Sequence, residues 1–155
     1  TLNQDAGTIT LANPTYETII GQNWNGDGTL DGTYNMSGTA SFLTTVKATY
    51  LGNGSVAKWT LTDSANASIA ALDFGNASDS FASQLILSGA ATFSATDLVG
   101  LAGADEYISF ASGSAATFTA GSITANGAAS DYQALVAAGN IRHGMDPRGH
   151  QQFVT

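Results

Sequence analysis

Apolar residues along this chain alternate with small polar ones in short bursts, and the bursts recur. Four alternating pairs stand out: Tyr34/Met36, Trp59/Leu61, Leu85/Leu87 and Ile108/Phe110. A run closed by glycine occurs at Ile19-Ile20-Gly21, Tyr50-Leu51-Gly52, Asp73-Phe74-Gly75 and Leu98-Val99-Gly100. A short closing signature follows each pair, at Ala40-Ser41-Phe42, Ala67-Ser68-Ile69, Ala91-Thr92-Phe93 and Ala116-Thr117-Phe118. Successive glycines lie 31, 23 and 25 residues apart, and successive signature alanines 27, 24 and 25 apart. Strand side chains project to opposite faces in turn, so each burst can send one apolar column inward. A fixed period of this size marks a repeat architecture, and the runs are too short for two packed helices per repeat.

The pattern predicts an all-β fold, a parallel β-solenoid (β-helix) of about four coils of roughly 25 residues each. In that fold Phe42, Ile69, Phe93 and Phe118 stack as an interior ladder, about 4.8 Å from coil to coil. The neighbours of opposite orientation, Ser41, Ser68, Thr92 and Thr117, then form an outer column, with Leu43, Ala70, Ser94 and Thr119 two residues on. Such a flat face of hydroxyl and methyl groups could match ice, a polysaccharide or the same face of another subunit. It is equally what ordinary solvent-facing β residues look like.

The chain reads as one domain, 1–155, with N-terminal strands over 1–20, repeats over 21–120 and a cap over 121–155. The first eleven residues either cover the open end of the coil stack or pair with a neighbouring molecule. Within the cap, Ser130 or Asp131 can start a short helix, Tyr132, Leu135 and Val136 share one of its faces, and Gly139 can end it. A terminal strand is expected over Gln151 to Thr155.

Composition narrows the partners. Twelve acidic residues against four basic ones give a net charge of −8, and the absence of a basic patch argues against nucleic acid. With no cysteine there are neither disulfides nor thiolate metal sites. No apolar run approaches the roughly 20 residues of a helical membrane span.

Candidate chemistry is sparse. Asn23, Asn25, Asp27 and Asp31, with Gly28 between them, place oxygen ligands as in the first part of a calcium loop. Asn stands at the first position and Tyr34 where a bidentate Glu is usual, so the stretch fits either a calcium site or a polar turn. His143, Asp146 and His150 resemble zinc ligands in type, but their spacing matches no helix face. Asp73, Asp97, Asp105 and Glu106 are the carboxylates that glycoside hydrolysis would draw on. Neither a Gly-X-Ser-X-Gly elbow nor a phosphate loop occurs. Asn-X-Ser triplets stand at Asn35, Asn53, Asn66 and Asn76, and a suitable secretory host could glycosylate them.

The phrases Gly89-Ala90-Ala91-Thr92-Phe93 and Ser114-Ala115-Ala116-Thr117-Phe118 recur one period apart, and Tyr132 to Arg142 leads on to Phe153-Val154-Thr155. In these features the chain resembles the repeat-rich exported bacterial surface proteins that often end in a PEP-CTERM sorting segment, although no Pro-Glu-Pro motif occurs in it. The resemblance implies export, an extracellular or cell-surface location and a matrix role, and it brings no catalytic residues. The expectation is therefore a non-enzymatic structural subunit that self-associates, end to end or laterally, into a filament or matrix. It requires no cofactor, calcium being the one candidate. The alternative is a polysaccharide- or ice-binding module acting through the Ser/Thr face, with a polysaccharide-degrading enzyme ranked last.

Overall fold

A computed structural model describes residues 1–22, 32–53, 55–74, 83–101, 107–125, 128–129, 136 and 141–143. The fold is all-β, with two parallel sheets. The first runs in the order β1 (Leu2–Gln4), β4 (Gly32–Met36), β7 (Ala57–Leu61), β9 (Gln84–Leu87), β11 (Tyr107–Phe110), β14 (Ile141–His143). The second stacks β2 (Thr8–Leu11), β5 (Ser41–Thr44), β8 (Asn66–Asp73), β10 (Thr92–Leu101) and β12 (Thr117–Ala125). Beside β5, the strands β3 (Glu17–Gln22) and β6 (Ala48–Asn53) extend this sheet, β6 pairing with the far half of β8. One pairing breaks the parallel rule: β13 (Ala128–Ala129) runs antiparallel to the end of β12. The chain visits the two sheets in turn, so each strand pairs with its equivalent one repeat away.

In the first sheet the alternating pairs fall into register as the periodicity predicts. Tyr34, Trp59, Leu85 and Ile108 align in one column, and Met36, Leu61, Leu87 and Phe110 in the next. All eight are buried, and they meet the inward column of the second sheet in a single core. That second column differs from the expected one at a single rung. Phe42 pairs with Ala67, Ala67 with Phe93 and Phe93 with Phe118, whereas Ile69 pairs with Ala95, two residues further on.

The reason lies across the core. Trp59 comes from the facing sheet and touches Phe42 edge-on at 5.3 Å and Phe93 edge-on at 5.1 Å between ring centroids. Its indole occupies the rung where a large side chain at position 67 would otherwise sit. Tyr34 stacks on the same indole at 5.5 Å and Phe118 on Phe93 at 5.6 Å, so an aromatic spine runs through the core. Each such contact adds about 0.5–1.5 kcal/mol beyond the area it buries.

Of the glycines that close the runs, Gly21, Gly52 and Gly100 are described, and each makes a corner at the next-to-last residue of its strand. Gly21, Gly52 and Gly100 have φ of 76°, 78° and 81°, a region that only glycine enters freely. At Gly52 a Cβ would lie 2.1 Å from the Ser83 hydroxyl oxygen and 2.6 Å from the Ser55 carbonyl oxygen. Asn53, directly after Gly52, is a strand residue paired with Gln22 and has no positive φ. A second corner, between the two sheets, holds Gly38, Asp63 and Gly89 in successive repeats, all at positive φ. Asp63 is the non-glycine member, and its carboxylate accepts the Gly38 N–H at 3.0 Å.

The first eleven residues are themselves a rung. β1 pairs with β4 and β2 with β5, and Ile9 and Leu11 pack on the core. The repeat therefore extends further toward the N-terminus than the sequence pattern indicated. The helix expected over 130–139 lies outside the described residues except for Val136, which packs against the core. The expected strand over 151–155 lies wholly outside them.

Candidate functional site

Period-two alternation puts every second residue of the second sheet outward, and parallel pairing lines these residues up from strand to strand. One outer column reads Thr8, Ser41, Asn66, Thr92, Thr117, and the next reads Thr10, Leu43, Ser68, Ser94, Thr119. Eight of the ten positions are exposed, with Ser41 and Asn66 half-buried. The Ser41 hydroxyl donates to Asn66 Oδ1 at 3.0 Å, which ties two neighbouring strands together on this face. None of the ten is charged and none is aromatic. Leu43, 38% exposed, is the single large apolar member.

All six residues predicted for a binding face share this surface, though not in the predicted arrangement. Ser41, Thr92 and Thr117 stand in the first column, and Ser68, Ser94 and Thr119 in the second. Asn66 fills the place assigned to Ser68, and Ala70 lies beyond both columns. Thr8 and Thr10 were missed because the first rung was not recognised as a repeat. A better signal was available in the alanines that precede the strands. Ala40, Ala65, Ala91 and Ala116 are all buried and recur at intervals of 25, 26 and 25 residues, more regular than the intervals obtained with Ala67.

A second feature is the N-terminal end of the core. A cavity of about 370 Å³ opens there, lined by Leu2, Thr18, Ile20, Tyr34 and Phe42 among others. Leu2, at its mouth, is 51% exposed. Tyr34 donates its hydroxyl to Gln4 Oε1, and burial pushes the Tyr34 pKa up to about 12. Among the described residues, no strand pairs with the outer edges of β1, β2 and β3.

Among the described residues, the carboxylates do not gather into one cluster. Asp97 lies on β10 and accepts a hydrogen bond from the Ser122 hydroxyl on the next strand. Asp73 aligns with Tyr50 and Val99. Burial raises the pKa of Tyr50, and the nearby Glu17 and Asp73 charges add to the rise against the opposing effect of Lys47. Glu17 pairs with Lys47 at 3.3 Å in an exposed ion pair, of the kind that contributes little to stability. Asp105 and Glu106 fall outside the described residues, as do the calcium-loop candidates Asn23, Asn25, Asp27 and Asp31. His143 is placed in β14, while Asp146 and His150 are outside. Among the described residues, no three His, Asp or Glu side chains gather where they could hold a metal ion.

No protein-family model matches the chain, and neither a curated protein nor a solved structure shows significant similarity to it. The functional reading rests on two surfaces, the hydroxyl face and the open N-terminal end.

Proposed function

We propose that the protein is a parallel β-solenoid serving as a structural subunit, exported to the cell surface or beyond, that assembles end to end into a filament or matrix. The observation that carries this reading is the N-terminal end, where strand edges that no other described strand pairs with surround an opening into the core. Edges of this kind template further pairing, and proteins that must stay monomeric blunt them with Lys, Pro or inward-pointing charge. Neither β1 nor β2 contains a charged residue or a proline, so nothing on those two strands opposes addition of another. An end that pairs with the opposite end of a second copy makes a heterologous contact, which propagates as an open fibre unless rotation closes it into a ring.

Sedimentation and negative-stain electron microscopy over a concentration series test this. The wild type is expected to form elongated particles whose length grows with concentration. Leu2→Glu, which sets a charge at the mouth of the cavity, is expected to give monomers with an unchanged circular-dichroism spectrum. Monodisperse wild-type monomers at every concentration would refute the assembly.

A further inference from the structure

We infer that the N-terminal opening is filled by residues 151–155 of a second copy, added as a strand along the outer edge of β1 with Phe153 seated in the cavity. The inference rests on the end-to-end reading above and names the element that makes the contact.

The opening is apolar on one side and closed on the other. β1 places Leu2 and Gln4 in register with Tyr34 and Met36 of the next rung. Gln4 closes its half. Its amide nitrogen donates to the carbonyl oxygens of Gly7 at 2.9 Å and Ser41 at 3.2 Å, and its amide oxygen accepts the Tyr34 hydroxyl. The Leu2 half stays open, with Leu2 itself 51% exposed at the mouth of the cavity of about 370 Å³. Tyr34 and Phe42 belong to the lining, their rings edge-on at 5.8 Å between centroids. The aromatic spine of the core therefore ends at this hole, where one more aromatic side chain gains both burial and ring contact.

At the other end of the stack, β14 is not the matching surface. Ile141 is the last described rung of the column that runs from Leu2 through Tyr34, Trp59, Leu85 and Ile108. It is 3% exposed, so its side chain is already covered and has none to offer the cavity. Beyond β14, residues 151–155 have the required pattern, an aromatic Phe153 with polar Gln151 and Thr155 two positions away on either side. On a strand these three share a face. Phe153 beside Leu2 then sets Gln151 or Thr155, according to strand direction, beside Gln4. No residue of 151–155 is charged although the chain carries a net −8, and β1 and β2 carry no charge either. Repulsion between like charges therefore does not oppose this contact, and main-chain hydrogen bonds along the edge hold it as in other strand additions.

Chain length selects a second copy over the same chain. β1 and β14 lie five strand steps apart in the first sheet, so the position beyond β1 is about 29 Å from β14 at about 4.8 Å per step. The stretch from His143 to Gln151 reaches at most about 29 Å when fully extended, which leaves nothing for a route around the outside of the stack. A second copy stacked on the same axis brings its β1 edge within one or two steps, about 5–10 Å.

The chain has no cysteine, so an introduced pair reports a single contact. Leu2→Cys/Phe153→Cys is oxidised at a concentration where the wild type assembles and compared with each single variant on a non-reducing gel. A ladder of disulfide-linked multimers is expected from the double variant alone, because the pairing brings the two Cα atoms within the roughly 7 Å that a disulfide spans. A cross-linked monomer, which puts the segment on its own chain, would overturn the inference, and so would the absence of a ladder. Phe153→Glu, with its circular-dichroism spectrum unchanged, is expected to raise the concentration needed for assembly by about tenfold or more. Mixed with Leu2→Glu it leaves one intact pairing, so heterodimers and nothing longer are expected, and a mixture that stays monomeric would overturn the inference. Assembly of Phe153→Glu at the wild-type concentration would also overturn it while leaving the end-to-end reading in place. Wild-type monomers at every concentration would overturn both.

Discussion

Trp59 and Ala67 are expected to behave as one unit, because the small residue leaves the space that the large one fills. Replacing Ala67 with Leu pushes three carbons into a rung already occupied by an indole that contacts Phe42 at 5.3 Å and Phe93 at 5.1 Å. Overpacking of this kind costs about 1–3 kcal/mol. Trp59→Leu alone removes a fully buried ring and its bond from Nε1 to the Met36 sulfur at 3.3 Å. Truncating Trp to Ala in a core costs about 3–5 kcal/mol, and the retained Leu brings this nearer to about 2–3. In the double variant Trp59→Leu/Ala67→Leu the added carbons occupy part of the vacated volume. Its loss should then fall short of the sum of the singles by about 1–2 kcal/mol, within the range for contacting residues. At this chain length each kcal/mol moves the melting temperature by about 2–4 °C, so the coupling is readable. Urea unfolding of the four proteins, followed by far-ultraviolet circular dichroism, measures it. Additivity within about 0.5 kcal/mol, as for independent sites, would refute both the register and the packing argument.

Two further expectations concern backbone and pH. Gly52→Ala should destabilise by about 1–3 kcal/mol from its left-handed backbone alone, with the clash against Ser83 and Ser55 adding to it; an unchanged urea midpoint would refute the corner geometry. Tyr34 holds its proton more tightly folded than unfolded, with a pKa of about 12 against the ordinary 10.0, so its contribution is complete below pH 10 and is lost as pH rises through 12. The loss is below about 2–3 kcal/mol, the figure for two tenfold changes in proton affinity at about 1.4 kcal/mol each, because solvent in the adjoining cavity screens the charge. Comparing wild type with Tyr34→Phe between pH 9 and 12 isolates it, and parallel stability curves for the two would refute it.

Much of the fold could be read in advance because parallel repeats write their core as columns. Tyr34, Trp59, Leu85 and Ile108 could be aligned from sequence since each is large, apolar and flanked by polar residues, and the pairing agrees. The second sheet was harder at one rung. Ala67-Ser68-Ile69 looks more like Ala91-Thr92-Phe93 than Ala65-Asn66-Ala67 does, yet the latter is its equivalent. A shift of two residues keeps every side chain on its own face, so inside-outside patterning cannot detect it. What fixes the register is the volume of Trp59 across the core, a contact between sheets that no local pattern contains. The first rung escaped notice for a related reason, since Leu2, Asn3 and Gln4 give only one apolar residue to recognise.

The hydroxyl face was legible as composition but not as a grid, and the difference bears on function. Serine and threonine on the outer side of a strand are unremarkable one at a time. They become a surface of defined spacing only when five strands are known to pair in register, which places Thr8 beside Ser41 and brings Asn66 rather than Ser68 between Ser41 and Thr92. The same pairing explains why a charge is a sharper probe of this face than a deletion. If the face docks a flat partner, removing one hydroxyl from nine leaves most of the grid in place. A lysine at position 92 or 117 holds its own hydration shell above the plane and lifts the neighbouring rungs away from any flat partner. The inward column is untouched by that change, so loss of docking with retention of fold is the signature that separates a working face from an ordinary solvent-exposed one.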